Sequence, residues 1–335
     1  SSYAVFPYLV SKIAKEKNPK IITVWGGPNF PRDIISQEKF MKKHTDVDFY
    51  VPVDGETGFS NIVEKCLKSE RLNFENVMSS PIDGCLSRDK NNKLQYSNPV
   101  IRIKDLDEIQ SPYTSGILDE FFDGKLSPMI QTNRGCPFSC TFCTDGSELV
   151  KQVNKFSIKR IEDDLEYISK KVPKNIRSMT ISDLNFGMYA RDLEICEVIA
   201  KFQNKYDYPK IIQTTTGKNQ KEKIIKSVKH LNGALRLMMS VQSMDEQVLE
   251  NIKRSNISVD HMLDLAPEIE KEGLSTTAEV ILGLPGETYE SHIKTLKDLV
   301  RADINYVRAY TLMLIDGSEM NTPEQRKKWG FKTKF

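Results

Sequence analysis

From Pro128 onward the chain alternates with a regularity that few folds tolerate. The short apolar or β-branched runs "PMIQT", "SMTIS", "KIIQTTT", "LRLMMSVQ", "TTAEVILGL" and "INYVRAYTLML" recur, each separated by a stretch of helical spacing. Parallel strands need long crossover connections and a sheet covered on both faces, which this alternation supplies. Six such βα units in about 190 residues suit a curved, barrel-like α/β sheet whose chemistry gathers at the C-terminal strand ends. One crossover helix is "EKIIKSVKHL", where Ile224, Ile225, Val228 and Leu231 form a single stripe and the lysines face away as a solvated surface.

The front of the chain alternates too. A helix over about 4–17 leads to the strand "KIITVWGG", helical spacing returns at "IISQEKFMKKH", and "VDFYVPV" is a second strand ending in "DGETGF" and a helix through Cys66. Two strands are marginal as an independent sheet, so the first half of this domain is expected upstream of Ser1. The abrupt stop at "GFKTKF" reads as a cut as well. Between the two parts, "SRDKNNKLQYS" predicts a hairpin within Pro-containing loops.

Charge excludes some functions. Lys and Arg number 48 against 46 Asp and Glu, a net charge of +2, which leaves no electrostatic footprint for nucleic acid. A small-molecule or peptide substrate is expected instead. Neither a run near membrane-spanning length nor a signal-peptide layout is present, so the expected location is the cytoplasm.

The chemistry-bearing stretch is "QTNRGCPFSCTFCTDG", which directly follows the first strand of the regular series and places Cys136, Cys140 and Cys143 in a CxxxCxxC array. Six cysteines in 335 residues are too few for a disulfide scaffold, and three so close suit reduced thiols on a metal. Structural zinc takes four protein ligands, and no fourth partner is evident: His44, His230, His261 and His292 lie far away in sequence, and Cys66, Cys85 and Cys196 stand alone. A 4Fe-4S cluster held by three thiolates keeps one iron open.

At this point the chain resembles the radical S-adenosylmethionine (SAM) superfamily, whose hallmark is CxxxCxΦC with an aromatic Φ, here Phe142. The resemblance implies that SAM chelates the open iron and is cleaved by one electron from the cluster to a 5′-deoxyadenosyl radical. It extends over about 128–320. "SDLNFG" resembles the segment that meets the SAM amino group, with Asp183 as acceptor. "SVQSMDEQVLENIKR" matches a QS…R pattern that holds SAM, carried here by Gln242, Ser243 and Arg254. Arginine suits the carboxylate because its planar fork donates two parallel hydrogen bonds. "AEVILGLPGET" is similar to the adenine-binding segment, with Glu279 for the ribose hydroxyls and Gly283 four places on. An electron donor such as flavodoxin or ferredoxin is implied.

"KNPKIITVWGGP", "DFYVPVDGETGF" and "LDEIQSPYTSG" resemble the front half of cobalamin-binding members, in which a doubly wound domain precedes the barrel. Gly26, Gly27, Asn29 and Glu56 are then the expected cobalamin contacts. The fold this implies is part of a Rossmann-like cobalamin-binding domain (1–75), a connector (76–126), a partial (β/α)6 TIM-type barrel (127–322) and the start of a C-terminal region (323–335). The expected activity is cobalamin-dependent methyl transfer or a related radical transformation. The alternatives are a radical SAM enzyme without functional cobalamin and, more remotely, a non-catalytic zinc-binding interaction protein. A methylthiotransferase would need a second cysteine triplet near the front, where only Cys66 and Cys85 occur.

Overall fold

A computed structural model describes residues 2–69, 74–89, 91, 93–99 and 102–333. The chain divides into a smaller unit (1–103, 141–150 and 313–335) and a larger one (104–140 and 151–312).

The smaller unit begins with α1 (Ser2–Lys17), β1 (Val24–Gly26), α2 (Ile34–Lys43), β2 (Phe49–Val51), α3 (Gly55–Lys68) and the short α4 (Phe74–Met78). The predicted hairpin follows as β3 (Leu86–Arg88) and β4 (Leu94–Tyr96). The four strands make one sheet in the order β1-β2-β3-β4, parallel between β1 and β2 and antiparallel thereafter. All three residues of β2 are buried. Phe49 and Val51 pack with Ile62, Val77, Ile82 and Cys85, while Tyr50 stacks on Phe30 at a centroid distance of 3.9 Å.

Beyond residue 75, Ile82, Cys85 and Leu86 bury apolar surface against or beside β2, so the hairpin packs with the front sheet. Beyond Leu312, the described residues 313–333 group with the smaller unit. There the Met320 N–H donates to the Thr141 carbonyl at 2.8 Å, and Gly317 lies so close to the Pro28–Phe30 backbone that a Cβ would fall 2.4 Å from the Pro28 oxygen.

In the larger unit β5 (Met129–Ile130) is followed by a two-residue ribbon of β6 (Asn133–Arg134) and β7 (Asn154–Lys155), which joins the two ends of the cysteine segment. Then come α5 (Ile158–Lys171), β8 (Ser178–Ile181), α6 (Asp192–Tyr206), β9 (Ile211–Gln213), α7 (Lys221–Val228), β10 (Leu237–Gln242), α8 (Glu246–Asn251), α9 (Val259–Lys271), β11 (Thr276–Leu282), α10 (Tyr289–Arg301) and β12 (Tyr306–Thr311). Each predicted run of the series holds one strand. They pair in parallel as β5-β8-β9 and β10-β11-β12, and a single bridge, Ile212 to Leu235, links the two sheets.

The helices form where caps and stripes dictate. Ser157 caps α5 by accepting from the Arg160 N–H, and Ile161, Leu165 and Ile168 bury one face at helical spacing. In α7 Ile224, Ile225 and Val228 are buried while Lys223 and Lys226 are exposed, as the stripe predicts. No described helix is long and apolar enough to cross a membrane.

Candidate functional site

The cysteine segment starts where β5 ends, and its first residues are anchored by β8. Asp183, just past that strand, is buried and accepts from the Thr132 N–H at 2.7 Å, the Asn133 N–H at 3.3 Å, the Asn133 Nδ2 at 2.6 Å and the Thr132 hydroxyl. Burial pushes its carboxyl above the usual range, against the pull of those donors. Asp183 thus holds the chain that leads into the cysteines. Gly135, next along, has φ +127°, a conformation that only glycine takes without strain.

Cys136 and Cys140 are buried thiols of the larger unit; Cys143 is half-buried and belongs to the smaller. Among the described residues no three Cys, His, Asp or Glu side chains are gathered as a ready metal site. What surrounds the thiols does fit an anionic cluster. Asn185 Nδ2 lies 3.4 Å from Cys136 Sγ, Lys218 Nζ 3.1 Å from Cys140 Sγ, and a terminal nitrogen of Arg254 3.8 Å from the same sulfur. Among the described residues, the buried Asn185 Oδ1 and Tyr189 hydroxyl have no hydrogen-bond partner, which leaves both able to meet a ligand.

The other expected contacts lie on β10 and β11 or in the segments that follow them. Register slips by one residue between Ser240 and Gln242, and Gln242 stands in left-handed backbone at φ +67°, buried. A bulge with a strained non-glycine residue is a local cost that functional sites commonly carry. Ser243 is fully buried, and its hydroxyl accepts from the Asp245 N–H at the entry to α8, which is a structural task. Arg254 is buried and is aimed by Asn256, which accepts from its Nε at 2.8 Å, and by the Ser240 carbonyl. Glu279 pairs in register with Ser240, whose hydroxyl donates to it at 2.9 Å. Gly283 turns the chain at φ +90°, with its N–H donated to Glu287 at 2.6 Å. Sequence reading missed Lys218, Asn185 and Tyr189. All three follow β8 or β9, and their position at strand ends was the available signal.

In the smaller unit a cavity of about 300 Å³ opens beside β1 and β2, lined among others by Gly27, Pro28, Val53, Arg102, Thr144 and Asp145. Of the expected cobalamin contacts only Gly27 lines it. Gly26, Asn29 and Glu56 are exposed and lie off its wall. The lining is mostly apolar, and Val53 is held at φ +63°, a costly conformation for a β-branched residue. Arg32 staples the wall, donating to the Thr144 carbonyl at 2.7 Å and to the Gly317 carbonyl at 2.6 Å. Burial lowers the pKa of its guanidinium, and Asp145 and Cys143 oppose the shift. Phe142 is half-buried.

The profile of the radical SAM superfamily matches residues 130–299, half of the chain. Among curated relatives, the cobalamin-dependent radical SAM methyltransferase TokK of Streptomyces tokunonensis is 30% identical over 97% of this chain and 47% of its own length. A 2-(S-pantetheinyl)-carbapenam-3-carboxylate methyltransferase of Streptantibioticus cattleyicolor is 29% identical over the same shares. The chain therefore spans about half the length of these relatives. In fold it is similar to the radical SAM methyltransferase TsrM of Kitasatospora setae, solved with tryptophan and a SAM analogue. The TM-score is 0.71 at 13% identity, over 94% of this chain and 60% of that one. A match covering β8 to β11, the cysteine array, Gln242, Arg254 and Glu279 leaves one assignment: the chain belongs to the radical SAM superfamily.

Proposed function

We propose that the chain is the cofactor-binding part of a cobalamin-dependent radical SAM methyltransferase acting on a small molecule. The observation that carries this reading lies within the smaller unit: Thr144 and Asp145, the two residues after Cys143, wall the same cavity as Gly27 and Val53. A corrinoid edge in that cavity would touch the segment that carries the third cysteine. At about 300 Å³ the cavity takes only part of such a ligand, at the low end of ligand pockets.

Cys136, Cys140 and Cys143 would ligate the 4Fe-4S cluster. Once bound, cluster and SAM supply reductive cleavage of the sulfonium, and the corrinoid supplies a methyl carrier. The chain's own residues bind and orient. Arg254 and Gln242 would hold the SAM carboxylate, Asn185 Oδ1 its amino group, Glu279 the ribose, and Phe142 and Gly283 the adenosyl moiety. Asp183 fixes the entry to the cysteine segment, and Ser243 the turn into α8. The names of the curated relatives support methyl transfer, and the second of them supports a small, carboxylate-bearing substrate. In this reading the six strands form a partial (β/α)6 TIM-type barrel, the front sheet is part of a Rossmann-like corrinoid domain, and a cytoplasmic flavodoxin or ferredoxin supplies electrons.

The test is full-length protein reconstituted anaerobically with iron, sulfide and hydroxocobalamin, then desalted and incubated with SAM and a reductant. Retained corrinoid together with S-adenosylhomocysteine and 5′-deoxyadenosine in the mass spectrum supports the reading. SAM cleavage without retained corrinoid leaves a radical SAM enzyme lacking functional cobalamin.

A further inference from the structure

We infer that Lys218 is a positioning residue for the cluster's electronic state: it fixes a positive charge and an N–H donor on the Cys140 sulfur and so eases the cluster's one-electron reduction. The inference rests on the cluster reading above.

Lys218 is half-buried at the end of the β9 connection, with its Nζ 3.1 Å from Cys140 Sγ and 4.7 Å from the centroid of the Phe138 ring. Among the described residues it has no carboxylate partner. A lysine half out of water gains from the aromatic face it sits over, and gains further from the sulfur when that sulfur carries negative charge.

The loop behind it is built to keep it there. Lys221 is buried and donates to the Gly217 carbonyl at 2.7 Å and the Met238 carbonyl at 2.8 Å. Thr216 donates its hydroxyl to the same Met238 carbonyl at 2.7 Å. Gly217 is packed so tightly on Met188 that a Cβ would fall 2.6 Å from that side chain. Burial, with Arg254 adding, holds the Lys221 ammonium down at about 7.

Cluster potentials respond to net charge and to hydrogen bonds on sulfur. The electron that enters increases the negative charge on the thiolates, so a fixed ammonium favours the reduced form over the oxidised one.

The test is a reductive titration with dithionite, followed by electron paramagnetic resonance, on full-length reconstituted protein without SAM. Lys218→Met should bind the native amount of iron yet lower the midpoint by at least a tenfold change in the one-electron equilibrium, about 59 mV. Lys218→Arg, which keeps charge and donor, should restore most of it. A Lys218→Met midpoint equal to the native one overturns the inference while leaving the cluster reading intact. If Lys218→Met holds no cluster, Lys218→Gln and Lys218→Arg are compared instead. A lower midpoint for Gln than for Arg supports the inference, and equal midpoints overturn it. Native protein that assembles no cluster overturns the reading beneath it and this inference together.

Discussion

The Asp183 carboxylate and the Thr132 backbone N–H, 51 residues apart in sequence, meet at 2.7 Å inside the larger unit, at the point where the chain turns into the cysteine segment. Removing the acceptor leaves two backbone N–H groups and two side-chain donors of Thr132 and Asn133 buried without it. Asp183→Ala should cost about 3 kcal/mol or more and reduce iron incorporation, since each unsatisfied buried group costs about 1–3 kcal/mol. Asp183→Asn should lose less. Chemical denaturation and iron analysis of the two variants check this; unchanged stability in Asp183→Ala would return the residue to a ligand-binding role.

The cysteines outside the array are poor metal ligands. Burial raises the Cys85 thiol to about 12, raises Cys66 as well, and pushes Cys196, fully buried in α6, higher still. Only the thiolate ligates iron. Serine at 66, 85 or 196 should therefore leave iron content intact, whereas alanine at 136, 140 or 143 should abolish it. Loss of iron from any of the first three changes would break the assignment.

Gln242 couples a cost to a use. Its left-handed backbone at φ +67° costs about 1–2 kcal/mol in a non-glycine residue. Gln242→Gly should raise the stability of the cluster-free protein by about 1 kcal/mol and weaken SAM binding about tenfold or more. Arg254→Ala should weaken SAM binding about ten- to a hundredfold, as loss of a charge-assisted contact worth about 1.5–3 kcal/mol implies. Equilibrium dialysis with labelled SAM reads both, and native affinity in both variants would remove these residues from the site.

Gly27 separates ligand binding from folding. Its φ is +106°, and a Cβ there would meet no atom within 4 Å, so a side chain brings backbone strain without a clash. Gly27→Leu should cost about 1–2 kcal/mol, keep its iron, and retain far less hydroxocobalamin after desalting than native full-length protein. Equal retention would move the corrinoid away from this edge.

Asp192 gives the larger unit a pH dependence. It is fully buried at the start of α6, where one oxygen accepts from the Tyr189 N–H at 2.9 Å, and burial raises its carboxyl to about 6. Its folded pKa lies above the ordinary carboxyl value of 3.8, so its contribution to stability is complete below that value and is lost as pH rises through about 6. Asp192→Asn, which does not titrate, should gain on native protein by about 2 kcal/mol between pH values of about 4 and 7. A constant difference between the two across that window, in denaturant titrations, would rule the effect out.

Much of the protein was legible in its residues alone, because the relevant signals are local. Each strand of the parallel series is an apolar or β-branched run, α5 shows a stripe of Ile161, Leu165 and Ile168, and the cysteine spacing is a property of eight consecutive residues. The positions of Gln242 at the end of β10 and Glu279 within β11 follow from the same alternation. Only the tertiary structure could decide which groups meet. Lys218 reaches Cys140 across 78 residues, Arg32 reaches Gly317 across 285, and Asp183 meets Thr132 across 51. The hairpin at Leu86 joined the front sheet by pairing with β2, Leu86 opposite Tyr50 and Ser87 opposite Phe49. Periodicity states which face of an element is apolar; what that face or a buried charge finds opposite it depends on contacts between distant segments, which no local pattern encodes.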